Sequence, residues 1–299
     1  MRYPLLLTLA SSLVIAQDRC DTASPTTNCD TIPEITAYRT TDCRPYHIFA
    51  TRGTDEVKPG RLGNITALVC DSLGGTSECG WEDVDYPAAN RYISDSSWCE
   101  SAATGVKNGR AQLKEYVERC PDSKIIMFGY SQGATVTQDL LGGGGGPLFD
   151  KCTQKANAGL DRAQAPGSNV AAVVTFGTVR RSPREPYSVG PGKDFQPEAL
   201  RIGEQKAGID QYADVLRDYC NTGDQFCAKS SSPLDLQFHL TYFEQYQQEV
   251  VNWVVETVTK DKSVVVKDIV ASSSKEVKAA PKTATCTKGG ARLTRPTAA

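Results

Sequence analysis

The sequence predicts an α/β fold: a mostly parallel central sheet flanked by helices. Three observations carry that expectation. Apolar runs of strand length alternate with stretches of helical periodicity along most of the chain. One of them, Val170 to Gly177 ("VAAVVTFG"), is apolar almost throughout, as a strand covered on both faces must be. Another, Ile125-Ile126-Met127-Phe128, stops abruptly at Gly129-Tyr130-Ser131-Gln132-Gly133 before helical spacing resumes. At 299 residues the chain lies near the upper size for one hydrophobic core.

Taken in order, residues 1–16 read as a secretory leader. Arg2 supplies the positive start, Leu5 to Ile15 is mostly apolar, and Val14 and Ala16 fit a small-residue cleavage site. The stretch is too short to span a bilayer, and no later segment is long and apolar enough. Residues 17–42 form a Thr-, Asp-, Pro- and Ser-rich extension in which Cys20 and Cys29 can close a clip. The globular domain is expected over residues 43–258. "YHIFATRG" is a strand and its turn, and "RLGNITALVCDSL" places Leu62, Ile65, Leu68 and Val69 on one helical face. "GWEDVDYPA" reads as a second strand. A helix over Ala102 to Arg119 buries Val106, Leu113, Tyr116 and Val117, and stops before Cys120-Pro121 because proline disfavours helix at the preceding residue.

Lys124 to Tyr130 is then a strand and Gln132 to Leu141 a helix. The run Gly142 to Gly146 reads as a flexible surface turn. It cannot be a phosphate loop, since it follows a helix and lacks the Lys-Ser/Thr pair. Pro183 to Gln196 is loop-like, Val215 to Cys220 is the last core strand, and Phe238 to Val258 is a closing helix. Residues 259–299 form a basic, low-complexity tail expected to be disordered.

Composition narrows the function classes. A net charge of −2 offers no basic surplus for nucleic acid. The eleven cysteines of a secreted chain are expected mostly as disulfides, with Cys286, alone in the tail, as the odd one. A zinc site is a poor reading, because no C-x-x-C occurs and there are only two histidines. No metal or other cofactor is expected. Asn64-Ile65-Thr66 is a sequon, which makes Asn64 a candidate glycosylation site on the surface.

The chemistry centres on Ser131. G-x-S-x-G between a strand and a helix is the pattern of a nucleophile elbow, a strained turn that projects a hydroxyl from the sheet edge. The helix beyond it aims free N–H groups and a positive dipole end at any oxyanion formed there. A serine hydroxyl needs a base, and the chain offers His47 or His239. His47 begins its strand, and six strand residues cover about 20 Å, so it belongs at the far end of the sheet. His239 follows Ser131 and is the candidate base. The acid lies between them, among Asp150, Asp161, Asp194, Asp210, Asp214, Asp218, Asp224 and Asp235. Asp224 stands out in "CNTGDQFC", where Cys220 and Cys227 can close a small rigid loop; Asp218, within a strand, is second. For the oxyanion hole the backbone N–H of Gln132 is one donor, and Thr54 in the "TRGTDE" turn is the other. Arg52 in that turn reads as a structural brace.

Together, "CRPYHIFATRGTDE", "CPDSKIIMFGYSQGA", "CNTGDQFC" and "HLTYF" resemble the cutinase family, which also contains acetylxylan esterases. The resemblance spans roughly Cys43 to Trp253. It implies a small α/β-hydrolase without a lid, built on a five-stranded, mostly parallel sheet. It also implies ester hydrolysis without a cofactor, by Ser131, His239 and Asp224 with Thr54 and Gln132. By the same resemblance Cys43 pairs with Cys120, Cys220 with Cys227, and Cys70 with Cys79. The first motif departs from the common Ala-Arg-Gly-Ser form, with Thr51 and Thr54 in place of Ala and Ser. The expected protein is thus a secreted, monomeric serine esterase acting on plant-wall polymer esters, with no nucleic-acid or membrane partner. The alternative is a catalytically silent recognition protein on the same scaffold.

Overall fold

The computed structural model describes residues 32–260. The leader, Cys20 and Cys29, most of the basic tail and Cys286 lie outside the described residues. A short helix α1 (Pro33–Thr36) precedes β1 (Tyr46–Thr51), and its Ile35 is buried, with the Trp81 indole N–H donating to its carbonyl at 3.0 Å. Packed structure therefore starts ahead of Cys43. Helix α2 (Leu62–Ser72) returns the chain to β2 (Cys79–Asp83), and α3 (Ser97–Arg119) leads to β3 (Lys124–Tyr130). Helix α3 begins five residues before its apolar periodicity does. Ser94 and Ser97 accept each other's amides, at 3.1 and 3.3 Å, which satisfies N–H groups that a helix start leaves open.

Helix α4 (Gln132–Gly142) follows directly on β3. The glycine run is not a flexible turn: β4 (Gly144–Leu148) pairs antiparallel with β5 (Cys152–Asn157). The chain continues through β6 (Val170–Phe176), β7 (Arg180–Arg181), β8 (Ser188–Val189), β9 (Ala199–Leu200), α5 (Gly203–Asp210) and β10 (Leu216–Tyr219). The closing helix is broken in two, α6 (Leu236–Leu240) and α7 (Tyr242–Thr259).

The main sheet runs β2-β1-β3-β6-β10-β8 and every neighbouring pair is parallel. Five of these strands are the expected ones. The sixth, β8, is a two-residue edge inside the stretch read as loop. Side chains alternate across β3, so successive residues serve opposite faces. Ile125 and Met127 join Phe49 and Val173 beneath α3 and α4, where Ala102, Leu113, Val136 and Leu140 close the core. On the other side Tyr130 and Phe176 meet Phe243 of α7, with ring centres 5.4 and 5.0 Å apart.

The strand order fixes where a site can be. The chain goes outward from β1 to β2, then crosses back over β1 to β3. Loops leaving β1 and β3 therefore diverge at the carboxyl edge of the sheet and open a crevice between them. His47, at the opposite end of β1, is buried against Tyr116 with ring centres 3.8 Å apart and bonds Glu82 at 3.1 Å. It is a core residue.

The disulfides are Cys43–Cys120, Cys70–Cys79, Cys99–Cys152 and Cys220–Cys227 among the described residues. Asn64 sits half-buried in the first turn of α2 rather than on an exposed loop. The sequon's Thr66 is buried, its hydroxyl donating to Leu62 O at 2.8 Å.

Candidate active site

Ser131 sits between β3 and α4 with φ 55° and ψ −115°, a left-handed conformation that a serine adopts only when its surroundings impose it. Two bonds impose it here. Ser131 N–H donates to Phe176 O of β6 at 2.9 Å, and Ser131 O accepts Thr135 N–H of α4 at 3.2 Å. Glycine at 133 is a steric requirement, since a Cβ there would overlap the carbonyl oxygens of Thr51 and Arg52. The helix can therefore lie directly over the end of β1.

The structure brings Ser131, His239 and Asp224 together. His239 Nε2 lies 2.9 Å from Ser131 Oγ, and His239 Nδ1 lies 2.7 Å from Asp224 Oδ2. The histidine is buried to 3% exposure while Ser131 stays partly exposed, so the hydroxyl faces solvent and the imidazole does not. Four groups set the imidazole. Tyr130 Oη donates to the His239 carbonyl at 2.9 Å, the Tyr130 ring stacks 5.2 Å away, and Phe226 meets the imidazole edge-on at 4.6 Å. Gly177, at φ +60°, supplies the space: a Cβ there would lie 2.6 Å from His239 Cε1. Asp235 caps α6 by accepting the Gln237 amide at 2.8 Å, which seats the short helix carrying His239.

Asp224 is buried in the loop that the Cys220–Cys227 bond closes. Its Oδ1 accepts the amides of Phe226 and Cys227 at 2.8 and 3.2 Å, and its Oδ2 also accepts the Tyr242 hydroxyl at 2.6 Å. Burial pushes this carboxyl up. The positive charge of His239 and the bonds from His239, Tyr242 and Phe226 outweigh burial and hold it below the usual carboxylate range. Asp218 has a different place. It is buried in β10 and accepts Arg181, Thr175, Thr178 and Gln138 at 2.6 to 3.1 Å, a closed structural network.

Thr54 lines the same cleft as Ser131 and His239. The Gln132 side chain does not. It is buried, donates to Ala89 O and Trp98 O at 3.0 and 3.3 Å, and accepts Ser101 Oγ at 3.2 Å. Gln132 thus clamps the start of α3 while its own amide lies in the first turn of α4. Arg52 braces the turn, with Nε donating to Glu56 O and Nη2 to Tyr86 O, both at 2.7 Å. The turn is held further by Glu56, whose Oε2 accepts the Gly53 amide and whose Oε1 pairs with Arg61, both at 2.7 Å.

The cleft has a volume of about 320 Å³ and opens between two walls. Trp98, Phe149 and Phe226 make one apolar side; Asn90, Arg91, Tyr92 and Leu236 stand at the mouth. Tyr92 is 82% and Leu236 46% exposed, so the cleft is open to solvent on this side. Among the described residues no cluster of His, Cys, Asp and Glu is arranged to hold a metal ion, and no helix is long and apolar enough to cross a membrane.

Sequence reasoning missed Tyr130, Gly177, Phe226 and Tyr242. Tyr130 lies inside the serine motif and Tyr242 three residues past His239, but nothing local marks either as a partner of the site.

A family model described as cutinase matches residues 42–258. The chain is 26% identical over 219 residues to an acetylxylan esterase of Hypocrea jecorina, covering 71% of this chain and 67% of that one. It is 28% identical over 246 residues to cutinase CUT1 of Coprinopsis cinerea, covering 81% and 92%. The catalytic core domain of acetyl xylan esterase from Trichoderma reesei shares the fold with a TM-score of 0.61 at 24% identity, over 72% of this chain and all of that one. A cutinase-like protein from Cryptococcus sp. does so at 0.56 and 18% identity, over 74% and 98%. With a family model spanning the whole sheet and the serine cleft, the chain belongs to the cutinase family of carboxylic ester hydrolases.

Proposed function

We propose that the protein is a secreted serine esterase in which Ser131, His239 and Asp224 form the catalytic triad. The observation that carries this reading is the unbroken line of hydrogen bonds from Ser131 Oγ through the imidazole to Asp224, at 2.9 and 2.7 Å. Ser131 Oγ attacks the ester carbonyl as His239 Nε2 takes its proton. The oxyanion is held by the Gln132 amide and by the amide and hydroxyl of Thr54. As the tetrahedral species collapses, His239 returns the proton to the departing alcohol. Water, giving a proton to His239, then attacks the acyl-enzyme; as the second tetrahedral species collapses, His239 returns that proton to Ser131 Oγ and the acid is released. Asp224 stays ionised throughout and stabilises the imidazolium.

The substrate class is a plant-wall polymer ester, acetyl groups on xylan or the polyester cutin, acted on by a monomer. The open cleft mouth and the names of the relatives support it. Residues 1–16 serve as the leader, residues 43–258 as the hydrolase domain and residues 259–299 as an appended tail. Extracellular work fits the four disulfides among the described residues. Asn64 is the candidate glycan acceptor.

The deciding experiment is Ser131→Ala, assayed on a short p-nitrophenyl ester and then on acetylated xylan and cutin. Loss of at least about a thousandfold in kcat is expected. Unchanged hydrolysis by the purified variant would overturn the triad.

A further inference from the structure

Asp224 Oδ2 is asked to hold two donors at once. His239 Nδ1 reaches it at 2.7 Å and Tyr242 Oη at 2.6 Å. Tyr242 is the first residue of α7, fully buried, and its hydroxyl has its own anchor: it accepts the Asn221 amide at 3.0 Å. One turn along the same face, Tyr246 donates to Asn221 Oδ1 at 2.8 Å, while Asn221 Nδ2 donates to Phe238 O at 2.9 Å. Asn221 therefore ties the acid's loop, α6 and α7 into one unit, and among the described residues the Tyr242 hydroxyl is the one side-chain donor to the carboxylate besides the imidazole, the Phe226 and Cys227 amides being backbone donors.

We propose that Tyr242 is a positioning residue of the esterase: its hydroxyl fixes the Asp224 carboxylate and draws off part of its charge, leaving the imidazole free to take the Ser131 proton in acid conditions. The inference rests on the triad reading above. A carboxylate shared between two donors binds each less tightly than one donor alone. Without Tyr242 the carboxylate keeps more charge for His239, and the imidazole holds its proton to higher pH. Only the neutral imidazole is a base, so the lower arm of the rate profile moves upward.

The remaining groups around the pair leave the tyrosine this role. Tyr130 faces His239 from β3, with Arg61 and Glu56 paired behind it at 2.7 Å. Tyr246 is occupied by Asn221, and the Cys220–Cys227 disulfide does not titrate. Asp55 and Arg91 line the cleft rather than the acid's pocket, and Asp235 is engaged at the α6 cap. Burial, and then the charge of Asp224, raise the Tyr242 hydroxyl well above the ordinary tyrosine range, so it stays a donor at every working pH.

The test is the pH profile of kcat/KM for Tyr242→Phe beside Tyr246→Phe, each corrected by active-site titration with an organophosphate. Tyr242→Phe is expected to lose about tenfold in kcat with KM unchanged. Its acid limb should rise by roughly half to one pH unit, while that of Tyr246→Phe stays with the parent. Fluorotyrosine at position 242 has the same shape and is a stronger donor, so it should move the limb the other way. That protein keeps the test alive where Tyr242→Phe does not fold. An acid limb that stays put in either 242 protein, or one that moves equally in Tyr246→Phe, overturns the proposal. Failure of the triad itself is a separate result, hydrolysis that survives Ser131→Ala.

Discussion

At the scale of single residues, the site depends as much on what is missing as on what is present. Gly177 leaves the volume that the imidazole fills, and its φ of +60° disfavours any side chain. Gly177→Ala should push His239 off Ser131 by a fraction of an ångström to an ångström, lowering kcat/KM by about a hundredfold. Steady-state kinetics with a thermal melt distinguishes this from unfolding; full activity in a folded variant would mean that the imidazole is not confined there. Ser131, His239 and Asp224 were legible in the sequence for unequal reasons. The serine sits in a local motif. The histidine had one rival, and the aspartate was framed by two cysteines seven residues apart. Gly177 and Tyr242 had no such sign, because their roles arise from contacts with groups far along the chain.

Among the elements, the β4–β5 hairpin shows where local reading fails. A run of glycines has no side chains to announce pairing. Its carbonyls are claimed from elsewhere: Gly143 by Arg201 at 2.6 Å, Gly145 by Gln205 at 3.0 Å and Gly146 by Arg180 at 3.2 Å. The turn of the hairpin carries Phe149, which meets Trp98 edge-on at 5.2 Å in the wall of the cleft. Cys99–Cys152 fastens this hairpin to the first turn of α3 across 53 residues. The paired change Cys99→Ala with Cys152→Ala should lower stability by as much as ~4 kcal/mol, from loop-closure entropy. Urea denaturation measures it, and a midpoint equal to the parent's would show that the hairpin is held without the bond. KM should rise, since Phe149 loses its tether, while organophosphate labelling of Ser131 persists. The broken closing helix is a second example. Its apolar spacing reads continuously, but Thr241 departs from helix at φ −102°, ψ 12°, so that His239 and Tyr242 can approach Asp224 from two helices.

For the molecule as a whole, the interior is braced by charge as well as by apolar packing. Asp139 of α4 pairs with Arg180 at 3.3 Å and with Arg201, and accepts Gln154 at 2.8 Å, all of them buried. This joins the serine's helix to β5, β7 and the chain just ahead of α5. Asp139→Asn leaves two buried guanidinium groups without their counter-charge and should cost roughly 3–5 kcal/mol. Glu118→Gln, which breaks the exposed Lys114–Glu118 pair, should cost no more than about 0.5 kcal/mol. Chemical denaturation of the two variants tests the contrast; equal losses would refute the brace. The α/β class and the positions of β1, β3 and β6 were readable because buried parallel strands are apolar runs. The two-residue edge strand and the arginine network were not, since neither leaves a periodic trace.

Ser131 and His239 are 108 positions apart along the chain and 2.9 Å apart in space. The serine and its elbow are synthesised well before His239, the proposed base. A ribosome that has released β3 and α4 has made the proposed nucleophile with nothing to take its proton. On the proposed triad, hydrolysis needs α6 docked against the loop of Asp224, and α6 (Leu236–Leu240) lies late in the chain. On that reading the chain is inert until residues 236–240 are in place. Any assay of turnover then counts finished molecules, not merely molecules that possess the serine.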